Sequence, residues 1–210
     1  MKIITVTGYK GGVAKSTTAI HLATYLSELG ATILVDGDPN RTTLEWAKRG
    51  KLPFNVADER QAMKIVSKSD YVVIDTPARP NTNDLQELAK GCDLLILPTA
   101  PDVLSLQPML ETARDLGADA NFSALITIVP PKPNREGELM QKDLIEGGVP
   151  VFKTMIRRTV GFPKAALQGM PIRDIDDNRL QADCADYVAF GEEVLNILGV
   201  TQCVAVNTAI

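Results

Sequence analysis

Short apolar runs recur along this chain at residues 3–6, 32–35, 71–74, 94–97 and 124–129, with helical patterns between them. Runs this rich in Val, Ile and Leu suit strands covered on both faces. Their alternation with helices predicts an α/β architecture, a doubly wound and mostly parallel sheet with helices on both faces. Between the first two runs, Ala19, Leu22, Ala23 and Leu26 fall on one stripe of a helix beginning near Lys15, and Gly30 stands where a C-terminal cap is expected. The segments around Leu85 and from 103 to 116 read as further crossover helices, and a last helix runs from after Leu180 to about Leu198. Pro130, Pro131 and Pro133 mark a loop and not a domain boundary, because the composition is alike on both sides. One domain over residues 1–200 is expected, with a loosely held tail at 201–210.

Composition narrows the function classes. With 210 residues, 45% hydrophobic and 23% charged, the chain is long enough to bury about 70% of its unfolded surface, which excludes disordered, collagen-like and disulfide-scaffold readings. Cys92, Cys184 and Cys203 form no motif and fit a reducing compartment as small hydrophobes or inert thiols. No apolar stretch approaches the roughly 20 residues of a membrane span, and no secretory h-region precedes the first strand, so the expected location is cytoplasmic.

The segment Gly8-Tyr9-Lys10-Gly11-Gly12-Val13-Ala14-Lys15-Ser16-Thr17 lies directly between the first strand and the first helix. A parallel sheet presents a helix N-terminus to an anion at that place. Gly11 and Gly12 let backbone amides approach phosphate oxygens, Lys15 would reach the β and γ phosphates, and the Ser16 hydroxyl would coordinate Mg²⁺. Against the pattern G-x4-G-K-[ST], Tyr9 and Ala14 stand where the two outer glycines belong. Ala14 adds only a methyl and fits if its φ is negative.

Lys10, five residues before Lys15, completes the arrangement Lys10-Gly11-Gly12-x-x-Lys15-Ser16, which resembles the deviant Walker A motif of the ParA/MinD family of P-loop NTPases. The resemblance implies that Lys10 reaches across a nucleotide-sandwich homodimer to the phosphates held by the other subunit. A cation supplied in this way offsets charge developing in phosphoryl transfer. Val35-Asp36-Gly37-Asp38-Pro39-Asn40 is similar to the family's Asp-x-Asp-Pro switch, so that Asp36 contributes to the Mg²⁺ shell through water and Asp38 orients the attacking water or accepts its proton. The same segment also reads as a turn and cap, with Asp38 or Asn40 bonding free amides. Tyr71-Val72-Val73-Ile74-Asp75 looks like a Walker B strand whose Asp75 holds magnesium through a water. Residues 95–101 resemble the family's turn beside the nucleotide and dimer face, and residues 130–133 lie where the family contacts adenine.

From Lys153 to Arg173 the chain carries Lys153, Arg157, Arg158, Lys164 and Arg173 with no Asp or Glu, a block of +5 in a chain of net charge −4. This segment also looks like the ParA-type stretch that contributes to nonspecific DNA binding. Arg157 and Arg158 are the first DNA-contact candidates, followed by Lys164 and Arg173. His21 lies off the apolar stripe and reads as structural, and Trp46 as packing its helix onto the core. Residues 197–206 lack the basic amphipathic character of a membrane-binding tail, so membrane attachment is not expected.

These features together lead to the expectation of a Mg-ATP-dependent ATPase that dimerises on ATP, binds nonspecific DNA and becomes nucleoid-associated. It would position a plasmid or carboxysome with a small ParB-like or McdB-like adaptor. No DNA-reading domain precedes the phosphate loop, so operon autoregulation is not expected. Two other classes stay open: a metabolic P-loop enzyme, such as a small kinase or synthetase, and a nucleotide switch with negligible hydrolysis.

Overall fold

Six strands, β1 (Lys2–Val6), β2 (Thr32–Asp36), β3 (Asn55–Asp58), β4 (Tyr71–Asp75), β5 (Leu94–Thr99) and β6 (Phe122–Ile126), form one sheet in the order β3-β2-β4-β1-β5-β6. The computed structural model describes residues 1–117 and 119–200, without the side chains of Asn178, Gln181 and Ala182. Every described pairing in the sheet is parallel. The helices are α1 (Lys15–Leu26), α2 (Thr42–Ala47), α3 (Glu59–Ala62), α4 (Thr82–Lys90), α5 (Val103–Leu116), α6 (Glu136–Glu146), α7 (Gly161–Gln168) and α8 (Gln181–Ile197). Parallel strands need crossover helices, and these cover both faces, which is why β2 and β5 are buried along their whole length. The segments predicted as helices around Leu85 and over 103–116 form α4 and α5. The expected tail at 201–210, with Cys203, lies outside the described residues.

Helix α1 carries the phosphate loop, and its packing fixes that loop's position. The predicted stripe of Ala19, Leu22, Ala23 and Leu26 has no exposed surface, and Ile20, His21 and Tyr25 are buried as well. The reason is that α1 is covered twice, by β4 on one side and by α8 on the other. At Gly191 of α8 an added Cβ would stand 2.3 Å from the Tyr25 ring, so the two helices meet at a spot that only glycine permits. His21 is structural, as expected. It lies between Trp46, Phe162 and Tyr187, its Nδ1 bonds the Thr17 carbonyl, and its Nε2 accepts from the Ile172 amide. Burial pushes its pKa down to about 4, so the ring stays neutral near pH 7. Trp46 is buried as expected and donates from Nε1 to the Met170 carbonyl.

Two boundaries and one strand differ from the sequence expectation. The last strand is shifted towards the N-terminus, ending at Ile126, because Ile128 takes a left-handed φ of 56° that no strand can continue through. Strand β3 was not expected: as an edge strand with only Ala57 buried it has no continuous apolar run. Helix α1 ends at the cap Ser27, so Gly30 is not its C-terminal cap. Glycine is needed at that position because a Cβ would come within 2.8 Å of the Asp70 carboxylate, which accepts from the Ala31 amide.

Replacing Gly191 by alanine forces Tyr25 or the α1–α8 spacing to move. A loss of about 1–3 kcal/mol of stability is expected, read as a lower urea midpoint with an unchanged slope.

Candidate functional site

The carboxyl ends of β1, β4 and β2 lie side by side, with Val6 in register with Asp75 and Asp75 in register with Asp36. Strand order reverses around β1, and the chain leaving β1 runs into the phosphate loop, as expected of a crevice at a switch point. The loop brings the predicted residues together. Lys15, the first residue of α1, is buried, and its ammonium donates to the Lys10 carbonyl at 3.0 Å. Desolvation lowers the Lys15 pKa, opposed by the charges of Asp75 and Asp38. No side chain caps the N-terminus of α1 and no acidic residue stands in its first turn, so its amides and the positive end of its dipole are left for an anion. Gly12 sits at φ 76° with open space where a Cβ would project.

Ala14 departs from expectation: it takes φ 64°, the left-handed conformation that its missing glycine would have adopted freely. The loop geometry is therefore kept at the expense of local strain. Tyr9, at the other outer glycine position, anchors the loop to α5. Its amide donates to the Thr112 hydroxyl at 3.2 Å and its own hydroxyl to Asp115 at 2.6 Å.

The three predicted carboxylates have different environments. Asp36 is fully buried and spends both oxygens on backbone, accepting from the amides of Asp38 at 3.1 Å and Leu44 at 2.9 Å. Asp38 is buried and accepts from the Asn40 amide at 2.8 Å, so the turn reading of this segment holds. Asp75 has no exposed surface, and neither carboxylate oxygen has a hydrogen bond of normal geometry among the described residues. Burial pushes its pKa up to about 7, with the Asp36 charge adding to the rise and the nearby Ser16 hydroxyl and Lys15 opposing it. An orphaned buried carboxylate costs several kcal/mol, and a hydrated cation at its oxygens would offset that cost. Among the described residues no trio of His, Cys, Asp or Glu is gathered as a direct ligand set. A cation here would take most of its oxygens from phosphate and water, which is how Mg²⁺ is commonly held.

Beside the loop opens a mostly apolar cavity of about 420 Å³, lined by Gly12, Ala14 and Thr17 and by Ile128, Ile156 and Phe162, with Arg157 and Arg158 also at its wall. Its size and lining suit a nucleobase next to the phosphates. Residues 130–133, expected at the base, are not in this wall. Nothing in the sequence marked Ile128, and Ile156 and Phe162 stood out only as part of the segment resembling a DNA-binding stretch, because apolar residues at a cavity are indistinguishable from core residues until the chain is folded.

The structure does not leave the basic block free. Arg157 makes a bidentate pair with the buried carboxylate of Asp186, both bonds 2.8 Å. Lys164 stands 3.6 Å from Asp177, and Arg173 pairs with Glu28 and lies 3.6 Å from Asp174. Of the four candidates, only Arg158 is exposed without a side-chain partner among the described residues.

Comparison with known proteins agrees with this geometry. The CbiA family model, described as the CobQ/CobB/MinD/ParA nucleotide binding domain, matches residues 4–172. The maintenance of carboxysome distribution protein A of Gloeobacter kilaueensis is 33% identical over 202 residues, covering 92% of this chain and 94% of that one. Protein ParA of Rhizobium radiobacter is 28% identical over 178 residues, covering 76% and 80%. The septum site-determining protein MinD of Pyrococcus horikoshii, solved with Mg-ADP, shares the fold with a TM-score of 0.72 at 16% identity, covering 97% and 99%.

Asp75 provides a test that needs no nucleotide. Its folded pKa lies above its unfolded one, so the protonated form favours folding. The nucleotide-free protein should be most stable at low pH on this account and lose stability as pH rises from about 4 to about 7, on the order of 4 kcal/mol in all. Asp75→Asn should flatten that slope and raise the urea midpoint at pH 8.

Proposed function

The chain belongs to the CobQ/CobB/MinD/ParA nucleotide-binding domain family, and on that premise we propose that it is a Mg-ATP-dependent ATPase that dimerises on ATP and positions a cargo. The observation that carries this reading is the orphaned Asp75 carboxylate facing a phosphate loop with two lysines and an uncapped helix. Gly11 to Thr17 hold the phosphates, with Lys15 reaching the terminal ones, and the cavity between Ala14 and Phe162 takes the base. Mg²⁺, when bound with ATP, supplies a Lewis-acid centre that neutralises charge on the phosphates. Ser16 would be its direct ligand and Asp75 would hold it through water, with Asp36, whose oxygens already accept two backbone amides, contributing through water beside it. Asp38 orients the attacking water and receives its proton, and Lys10 acts on the phosphates of the second copy.

Support for the cargo comes from the relatives: one is a carboxysome-distribution protein and another a ParA protein. The protein works in the cytoplasm with a small adaptor, ParB-like or McdB-like, and joins the nucleoid when ATP-bound. Among the described residues no helix is long and apolar enough to cross a membrane.

The ion pairs divide the DNA candidates. Arg158 and Lys153 present free charges, whereas Arg157 balances the buried Asp186 and Lys164 and Arg173 are paired. On a single copy this block therefore presents two free cations, and DNA binding rests on two copies being brought together by ATP.

Four outcomes are expected. Lys10→Ala should keep ATP binding and lose nucleotide-dependent dimerisation and most hydrolysis; unchanged hydrolysis and dimerisation would remove the role of Lys10 across the interface. In DNA titrations at two salt concentrations with ATP, ADP or no nucleotide, only the ATP state should bind tightly. Arg158→Ala should weaken that binding without changing stability. Arg157→Ala should cost about 1–3 kcal/mol of stability by leaving the buried Asp186 with the residue-157 amide but without its guanidinium.

A further inference from the structure

Among the described residues, four non-glycine residues have positive φ: Ala14 at 64°, Arg41 at 52°, Arg79 at 60° and Ile128 at 56°. Each follows the carboxyl end of a strand of the sheet, so strain in this fold is confined to the edge that carries the site. Three of the four have a visible occupation. Ala14 shapes the phosphate loop, and Ile128 walls the cavity beside it. Arg41 donates to the Asp36 carbonyl and to Glu59 at 3.0 Å, clamping the switch segment.

Arg79 has none. Its side chain is exposed and has no hydrogen bond or ion pair among the described residues, and its amide makes a long 3.4 Å bond to the Gly8 carbonyl at the start of the phosphate loop. A long cationic side chain holds no advantage in a left-handed turn, where Gly or Asn is favoured, so packing does not account for arginine at this position. What surrounds it does point to a role. Arg79 lines a cleft of about 410 Å³ with Tyr9, Lys10, Pro80, Pro108 and Glu111. That cleft shares no residue with the apolar cavity beside the loop, so Arg79 stands on the Lys10 side of the phosphate loop and away from the base. Glu111 is the one acidic residue of the cleft wall, and the two cations outnumber it.

We infer that Arg79 is a second cation of the phosphate-facing surface, acting beside Lys10 on the triphosphate held by the other copy of the chain. The inference rests on the nucleotide and dimer reading above and adds a residue to it. A guanidinium offers a planar fork that pairs two phosphate oxygens at once, whereas the Lys10 ammonium is a point charge. The left-handed turn at Arg79, tied to Gly8, keeps the two cations on one loop surface. No bond to Arg79 forms or breaks; its part is charge stabilisation.

Arg79→Gly separates the guanidinium from the turn, because glycine adopts the same backbone freely. Four quantities are read for it and for Arg79→Lys: the melting temperature without nucleotide, ATP affinity at concentrations where the chain is monomeric, sedimentation of the dimer with a slowly hydrolysed ATP analogue, and steady-state turnover. For Arg79→Gly the melting temperature should not fall and monomer ATP affinity should stay within about twofold. The dimer should weaken, and kcat should drop, by about tenfold or more. Arg79→Lys should regain part of the dimerisation. The role of Arg79 is overturned if Arg79→Gly dimerises and turns over within about twofold of the unchanged protein. It is equally overturned if monomer ATP affinity falls as much as kcat, which would place the residue at its own copy's nucleotide. A protein that neither binds nor hydrolyses ATP before any substitution would instead remove the nucleotide reading itself.

Discussion

The carboxylate of Asp75 ends the central strand β4 with no exposed surface and no hydrogen-bonding partner among the described residues, and it lies in register with Asp36 on one side and Val6 on the other. A charge so placed opposes folding by several kcal/mol unless something positive arrives. The neighbouring features become intelligible from that constraint. Lys15 is buried close enough for its charge to act on Asp75, Ser16 turns its hydroxyl towards it, and the first turn of α1 is left without any carboxylate that would repel a phosphate. The parallel sheet supplies the geometry, since only parallel strands bring several carboxyl ends to one edge. The double cover of α1 by β4 and α8 keeps the loop from drifting away from that edge.

Much of this was legible in the sequence because it is written in local patterns. Four of the six strands are apolar runs at the places predicted, and Lys10, Lys15, Asp36, Asp38 and Asp75 lie in motifs whose spacing follows from a strand-loop-helix path. The parts that were not legible depend on contacts between distant segments. Strand β3 has one buried residue and is a strand only because β2 offers a free edge. The end of β6 is set by the turn at Ile128, a residue whose side chain favours strands, so propensity pointed the wrong way. The backbone angle of Ala14 could not be read from its identity. The loop imposes it, and the residue tolerates it at a cost of about 1 kcal/mol. The cavity wall unites Ile128 with Ile156 and Phe162, well beyond it in the chain, and all three with a loop that precedes them by over a hundred positions.

Charge shows the same limit in a sharper form. Along the chain, residues 153–173 hold five cations and no carboxylate, which suggested an open basic surface. In space the partners come from just beyond that window and from the end of α1: Asp174, Asp177, Asp183 and Asp186 follow it, and Glu28 lies far earlier. The bidentate Arg157–Asp186 pair is a fixed structural tie, because the carboxylate is buried and the guanidinium also bonds in a planar fork. A block that reads as +5 therefore presents two unpaired cations, Arg158 and Lys153, on each copy.

That number decides which kind of nucleic-acid binding is physically reasonable. Nonspecific binding strengthens with the number of phosphates neutralised, and two cations neutralise too few to hold a duplex at physiological salt against a net charge of −4. A two-fold dimer doubles the count and fixes the spacing, converting two weak contacts into one footprint whose second half binds at high effective concentration. The paired arginines matter to this scheme by their neutrality. Had Arg157, Lys164 and Arg173 been free, a lone copy would already present five cations in 21 residues. On the proposed function, Asp186, Asp177 and Glu28, by pairing Arg157, Lys164 and Arg173, would keep the single copy weak and leave strong binding to the dimer.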